Sequence, residues 1–324
     1  MKFISKKVTA ICLTAFLSLS LLAGCAPAQP TEGTPPTEGE TPPATEVALS
    51  GEIAIDGSST VYPITSAVAE EFQKLHQDLR ITVGFSGTGG GFEKFIAGET
   101  DINNASRYIK DEEKTSLDEN GIAYKELEVA FDGLSVVVNH ANDFVDYLTV
   151  DELKKMWEPS STVMTWQDVR PEWPAEEIKF FSPGADSGTF DYFTEEVVGE
   201  SGAIRTDITA SEDDNVLVTG VAGEETAIGF FGYAYYQENK EALKIVPIDS
   251  GSGPIEPNDQ TIMDGTYTPL SRPLLIYVRE DALEKEEVKA FVTYYLTEGI
   301  ALVPQVGYVS LPDENYAATL ESLN

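Results

Sequence analysis

The sequence predicts an α/β protein of two lobes, and three observations carry that prediction. After an N-terminal leader and a tether, about 275 residues remain, long for one compact core and a natural size for two. Short apolar runs alternate with helical patterns along this stretch. No repeat of fixed period is visible and no low-complexity tract follows the tether, which argues against a solenoid.

The runs at 53–55, 81–83, 134–138, 178–181, 227–231, 244–248 and 274–278 read as strands. Between the first two, Ile64, Val68, Phe72 and Leu75 recur at spacings of four, four and three, an apolar stripe on a helix that starts near Thr60. Pro63 fits only the first turn of such a helix. Thr149 and Glu152 have the spacing of a capping box ahead of Leu153 and Met156. Val288, Phe291, Val292 and Tyr295 predict a helix near the C-terminus.

The N-terminus is read separately from the fold. Lys2, Lys6 and Lys7 precede an apolar stretch and then Leu22-Ala23-Gly24-Cys25, the order of an export leader cut by lipoprotein signal peptidase. Residues 1–24 are therefore expected to be a signal peptide, and Cys25 the lipidated first residue of the mature chain. Cys12 lies in the leader, so the mature protein keeps one thiol and forms no internal disulfide. Residues 25–50 combine that cysteine with a Pro/Thr/Glu-rich stretch that cannot bury enough surface to offset its chain entropy. As an extended tether it spans about 3.1 Å per residue.

Without its three leader lysines the chain keeps 18 basic residues against 55 acidic ones, a net charge of −37. That surplus argues against nucleic acid as a partner. It also repels anions at range, although salt screens it beyond about 8–10 Å, so any anion site must be built from local donors.

Three Gly/Ser/Thr-rich segments follow strands or open helices: Asp56-Gly57-Ser58-Ser59-Thr60, Ser86-Gly87-Thr88-Gly89-Gly90-Gly91 and Asp186-Ser187-Gly188-Thr189. Small residues let the backbone approach a ligand, free N–H groups at a helix start point toward it, and hydroxyls add uncharged donors. Taken singly, each is more often a plain turn or cap. Three at strand-to-helix positions lie where open α/β sheets bind ligands. A fourth segment, Asn103-Asn104-Ala105-Ser106-Arg107, adds a guanidinium that can fork onto two oxygens of a tetrahedral oxyanion.

In order and spacing these segments, together with Phe131-Asp132-Gly133, resemble the phosphate-binding proteins of Pst-type ABC transporters, and the likeness covers essentially all of the globular part. The resemblance implies a type II periplasmic-binding-protein fold, two α/β lobes joined by a two-segment hinge with crossings near 133–134 and 269–272. Lobe 1 would comprise 51–133 plus 270–324, and lobe 2 would comprise 134–269. Ser59, Thr60, Val61 (by its backbone N–H), Thr88, Ser106, Arg107, Ser187, Gly188 and Thr189 would hold the anion, with Arg107 as the one formal counter-charge. Many relatives carry an Arg ahead of the Ser-Gly-Thr segment, where this chain reads Ser182-Pro183-Gly184-Ala185.

Hydrogen phosphate keeps a proton at neutral pH and sulfate does not, so a buried carboxylate that accepts that proton would exclude sulfate. Asp132 is the candidate, with Asp56 and Asp186 behind it as groups that more often form turns or caps.

The expected protein is thus an extracytoplasmic, lipid-anchored, monomeric binding protein for inorganic phosphate that serves an ABC permease. No catalysis, cofactor or metal is expected. Another tetrahedral oxyanion, sulfate or molybdate, is the first alternative ligand, and a surface adhesion lipoprotein the second reading. An enzyme is disfavoured: Gly184-Ala185-Asp186-Ser187-Gly188 has the residue order of a trypsin-like nucleophile segment, but His76 and His140 are not set as its partners.

Overall fold

The computed structural model describes residues 49–323; the expected leader, Cys25 and nearly all of the tether lie outside them. Strand β1 (Ser50–Gly57) leads into helix α1 (Tyr62–Leu75), β2 (Asp78–Val83), α2 (Gly87–Ile96), β3 (Ile102–Ala105), α3 (Asp111–Glu119) and the 16-residue β4 (Tyr124–Asn139). Next come β5 (Leu148–Thr149), α4 (Val150–Trp157), α5 (Trp166–Val169), β6 (Lys179–Pro183), α6 (Gly188–Phe193), β7 (Thr209–Ser211), α7 (Asp214–Gly223) and β8 (Ala227–Gly232). Then α8 (Tyr233–Asn239), β9 (Leu243–Ile245), β10 (Ile248–Asp249), β11 (Pro254–Ile255) and α9 (Asp259–Met263) precede β12 (Ser271–Arg279), α10 (Glu286–Tyr295) and α11 (Asp313–Glu321). Ser50, assigned to the end of the tether, already opens β1.

One strand serves both lobes. From Tyr124 to Gly133, β4 pairs antiparallel with β12; from Leu134 to Val138 it pairs antiparallel with β8. The sheet order is β2-β1-β3-β12-β4-β8-β6-β7, with β9 also on β4. On the first side β1 runs parallel to β2 and β3, and on the second β6 runs parallel to β7 and β8. These are the right surroundings for ligand loops at strand ends.

The apolar cores divide the same way. One gathers Ile53, Ile64, Phe72, Leu127, Leu274 and Phe291, and the other Leu134, Trp157, Phe193, Phe230 and Ile248. In the second, the Trp157 ring meets Phe180, Phe193 and Phe230 edge-on at centroid distances of 5.0 to 5.5 Å, a favoured aromatic geometry.

Local signals explain the helices. Ile64, Val68 and Phe72 of α1 are buried against β1 and its neighbours, and Pro63 occupies the first turn. Thr149 and Glu152 form the capping box of α4: the Glu152 N–H donates to Thr149 Oγ1 at 3.1 Å and the Thr149 N–H to Glu152 Oε2 at 2.8 Å. Val288, Phe291, Val292 and Tyr295 line the buried face of α10.

Two expectations are corrected. Leu75 is 64% exposed, because it ends α1 where the chain turns toward the edge strand β2 and no element covers it. The run at 244–248 is not one strand: Pro247, which has no N–H for a ladder, separates β9 from β10.

The first ligand loop is fixed by two features. Gly57 has φ +136°, and a Cβ there would lie 2.1 Å from the Asn104 carbonyl oxygen, so β1 can leave the sheet beside β3 only as glycine. Asp56 ties this loop to the next one: Oδ1 accepts from the Gly57 and Ser86 N–H groups and the Ser86 hydroxyl, and Oδ2 takes Lys94 Nζ at 2.6 Å. Burial opposes the charge of Asp56, but Lys94 and Ser86 outweigh it and hold the carboxyl below its ordinary pKa.

Gly57→Ala is expected to lower stability by about 2 kcal/mol or more through backbone strain and the clash, read as an earlier midpoint in urea unfolding. The Asp56 contribution is complete above about pH 4, the unfolded value, and is lost as pH falls through the lowered folded value. Asp56→Asn should therefore weaken the protein at pH 7 and flatten the acid limb of its stability curve; an unchanged acid limb would contradict the assignment.

Candidate functional site

Three strand-to-helix junctions converge on one cleft. At the first, Ser58 caps the turn: its N–H donates to Asn104 O at 2.9 Å and its Oγ accepts from the Thr60 N–H at 3.2 Å. Ser59 and Thr60 then stand at the opening of α1. Val61 is completely buried and lines neither cavity described below.

The glycine-rich segment proves to be the first turn of α2 rather than a loop before it, since the helix starts at Gly87. Thr88 joins it to the third segment: its Oγ1 accepts from the Ser106 N–H at 3.2 Å and lies 3.3 Å from Ser106 Oγ. Arg107 is held from behind. Glu113, at N3 of α3, takes Nη1 at 2.9 Å and Nη2 at 2.7 Å and also accepts from the Lys110 N–H. Burial alone would raise the Glu113 pKa, but Arg107 and the Lys110 N–H bring it below its ordinary value. The guanidinium is thus docked in a fixed plane, with part of its charge already offset.

From the second lobe comes the start of α6. Ser187 Oγ accepts from the Thr189 N–H at 3.2 Å. Gly188 packs so close to α1 that a Cβ would lie 2.8 Å from Thr60 Oγ1 and 3.2 Å from its Cα. Only glycine permits this approach of the two junctions.

A cavity of about 580 Å³ opens between them. Ser59, Thr60, Thr88, Ser106, Arg107 and Gly188 line it, together with Arg272, Lys110 and the carboxylates of Asp191, Glu195 and Glu196. An adjoining cavity of about 440 Å³ shares Ser59 and Gly188 and is lined by Asp132, Asp186, Ser187 and Thr189. Nine of the ten expected binding residues therefore border these two adjoining cavities, and Val61 borders neither.

Three site expectations change. Arg107 is not the one counter-charge, because the crossing into β12 delivers Arg272 to the same cavity and Lys110 also reaches it. Asp132 is no isolated acceptor: β4 and β12 place it directly opposite Arg272, whose Nε and Nη2 reach its Oδ2 at 3.1 and 3.0 Å. Burial raises the Asp132 pKa against the pull of Arg272. Asp56, the second choice, is occupied by Lys94 and Ser86.

Arg272 entered the sequence reading only as a hinge marker. Its signal was a lone cation, with Pro273 after it, at the mouth of the apolar run 274–278. The Ser182-Pro183 segment supplies no charge to the cleft, and the Ser182 hydroxyl is turned to the Pro183 carbonyl.

Comparison with known proteins agrees with this architecture. The family model of the PBP superfamily domain matches residues 33–298. The phosphate-binding protein PstS of Staphylococcus saprophyticus is 46% identical over 269 residues, 82% of each chain. A solved structure described as a possible phosphate binding protein, from Planctomyces limnophilus, superposes with a TM-score of 0.82 at 46% identity, over 85% of this chain and 98% of that one. An ABC-type phosphate transport receptor from Vibrio cholerae superposes with a TM-score of 0.62 at 25% identity, over 80% of this chain and all of its own. With its shared strand, its two lobes and its helix-start cleft, the chain belongs to the PBP superfamily, among the phosphate-binding proteins of the PstS type.

Proposed function

We propose that this protein captures inorganic phosphate outside the cytoplasm and delivers it to an ABC permease. One observation carries the reading: hydroxyl-bearing residues at three helix starts, drawn from two lobes, and two guanidinium groups line a pair of cavities that share Ser59 and Gly188. A tetrahedral dianion needs donors from several directions more than it needs net charge, and helix starts and short polar side chains supply them. Ser59, Thr60, the Val61 N–H, Thr88, Ser106 and Arg107 act from one lobe, and Ser187, Gly188 and Thr189 from the other.

Asp132 distinguishes hydrogen phosphate from sulfate. Its Oδ2 is held by Arg272, and no described residue donates to its Oδ1, which leaves an acceptor for the proton that phosphate carries and sulfate lacks. The protein binds and releases its ligand without transforming it, and needs no cofactor or metal to do so. Lipid on Cys25 holds it to the outer face of the membrane, residues 26–49 act as the tether, and a monomer suffices. Lobe 1, 51–133 with 270–324, and lobe 2, 134–269, close about the crossings near 133–134 and 269–272.

Titration calorimetry of the soluble body, stripped of ligand, should give saturable one-to-one phosphate binding that excess sulfate leaves intact. Arg107→Ala should weaken it roughly 10- to 100-fold, the loss of a charged hydrogen-bond donor of about 1.5–3 kcal/mol. Equal binding of sulfate, or no heat with phosphate, would remove the phosphate assignment. Asp132→Asn should let sulfate compete; continued exclusion of sulfate would take the acceptor role from Asp132.

A further inference from the structure

Arg272 touches both lobes and both crossing strands. It lies at the second position of β12, in the crossing itself, opposite Asp132 on the other crossing strand. Its Nη2 donates to Thr60 Oγ1 at 2.8 Å and to the Gly188 carbonyl at 3.4 Å, so a single nitrogen bridges the first lobe and the second. Its Cζ stands 3.6 Å from the centroid of the Tyr192 ring, and Tyr192 in turn donates its hydroxyl to the Pro269 carbonyl on the same crossing. The side chain is 13% exposed.

The direction of these bonds matters. A guanidinium can only donate. In its bond to Arg272 the Thr60 hydroxyl is therefore the acceptor, and its own hydrogen is left to point elsewhere. The Gly188 carbonyl, whose oxygen would repel an anion, is likewise drawn to the cation. Asp132 cancels the formal charge of Arg272, and the stacked Tyr192 fixes its plane, so the group acts through geometry more than through net attraction.

We infer that Arg272 is a positioning residue for the anion: it turns the Thr60 hydroxyl into a donor aimed at the cleft and clamps the Gly188 junction of the opposite lobe against it. The inference rests on the phosphate reading for its ligand; the clamp is tested apart from it. Part of the affinity lost with Arg272 is therefore lost through Thr60.

The test is a double-mutant cycle by phosphate calorimetry, with small-angle scattering of the ligand-free proteins alongside. Arg272→Gln, which can still donate to Asp132, and Thr60→Val should each weaken binding about 10-fold or more, and the double variant should be no weaker than the worse single. Arg272→Lys, a charge without the fork, should restore little. Without ligand, Arg272→Gln should raise the radius of gyration relative to the wild type, while Thr60→Val should not. If Arg272→Gln alone folds poorly, the cycle is run in an Asp132→Asn background, where no buried carboxylate is left unpaired. Additive losses in the double variant, or full rescue by Arg272→Lys, would overturn the inference. A wild type that binds no phosphate would overturn the functional reading instead, and the scattering would then decide the clamp: an unchanged radius in Arg272→Gln rejects it, and an increase upholds it.

Discussion

The structure turns on the cross-strand pairing of Asp132 and Arg272, two residues before Leu134, where β4 changes partner from β12 to β8. A buried ion pair of this kind is a weak source of stability, because the desolvation of both charges offsets most of their attraction. What it supplies is register. Sliding β12 by one residue would carry Arg272 to the other face of the sheet, away from Thr60 and Gly188, and would misplace the segment from which the second lobe departs. The meeting of helix starts from two lobes depends on this alignment.

The cleft answers an electrostatic problem set by composition. A chain with a formal net charge of −34 over its whole length cannot draw an anion in by its overall field. Both guanidinium groups at the site are moreover partly spent, Arg107 on Glu113 and Arg272 on Asp132. What remains is Lys110 and a set of dipoles and hydroxyls held in place by hydrogen bonds of the fold itself. Preorganised donors of this sort lose little on binding and act over short distances, where salt screening has little effect.

What could be read from the sequence follows the range of each interaction. The stripe of α1, the capping box of Thr149 and Glu152, the strands and the three Gly/Ser/Thr segments depend on neighbours a few residues away, and their patterns stand in the chain itself. Leu75 obeyed the stripe but lies where the helix runs out of neighbours. Pro247 interrupts the ladder within the apolar residues 245–248. The partners of Asp132 and Thr60 lie 140 and 212 residues away along the chain, and no local pattern encodes such a meeting. Arg107 was visible as a cation, whereas its occupation by Glu113 depended on α3 folding back beside it.

The place of β12 in the sheet also governs the order in which the molecule can assemble. It stands between β3 and β4, yet its residues, Ser271–Arg279, come some 130 positions after β4 in a chain of 324. The second lobe draws its strands from one continuous stretch, and its core can condense as soon as that stretch is free. The first lobe has a gap in the middle of its sheet until nearly the whole polypeptide has emerged. Long-range pairings of this kind are formed late and slowly, so β3 and the first half of β4 spend that interval as open edges of the sort that invite aggregation. A protein built this way places a premium on staying unfolded, or shielded, until its C-terminal sixth has arrived.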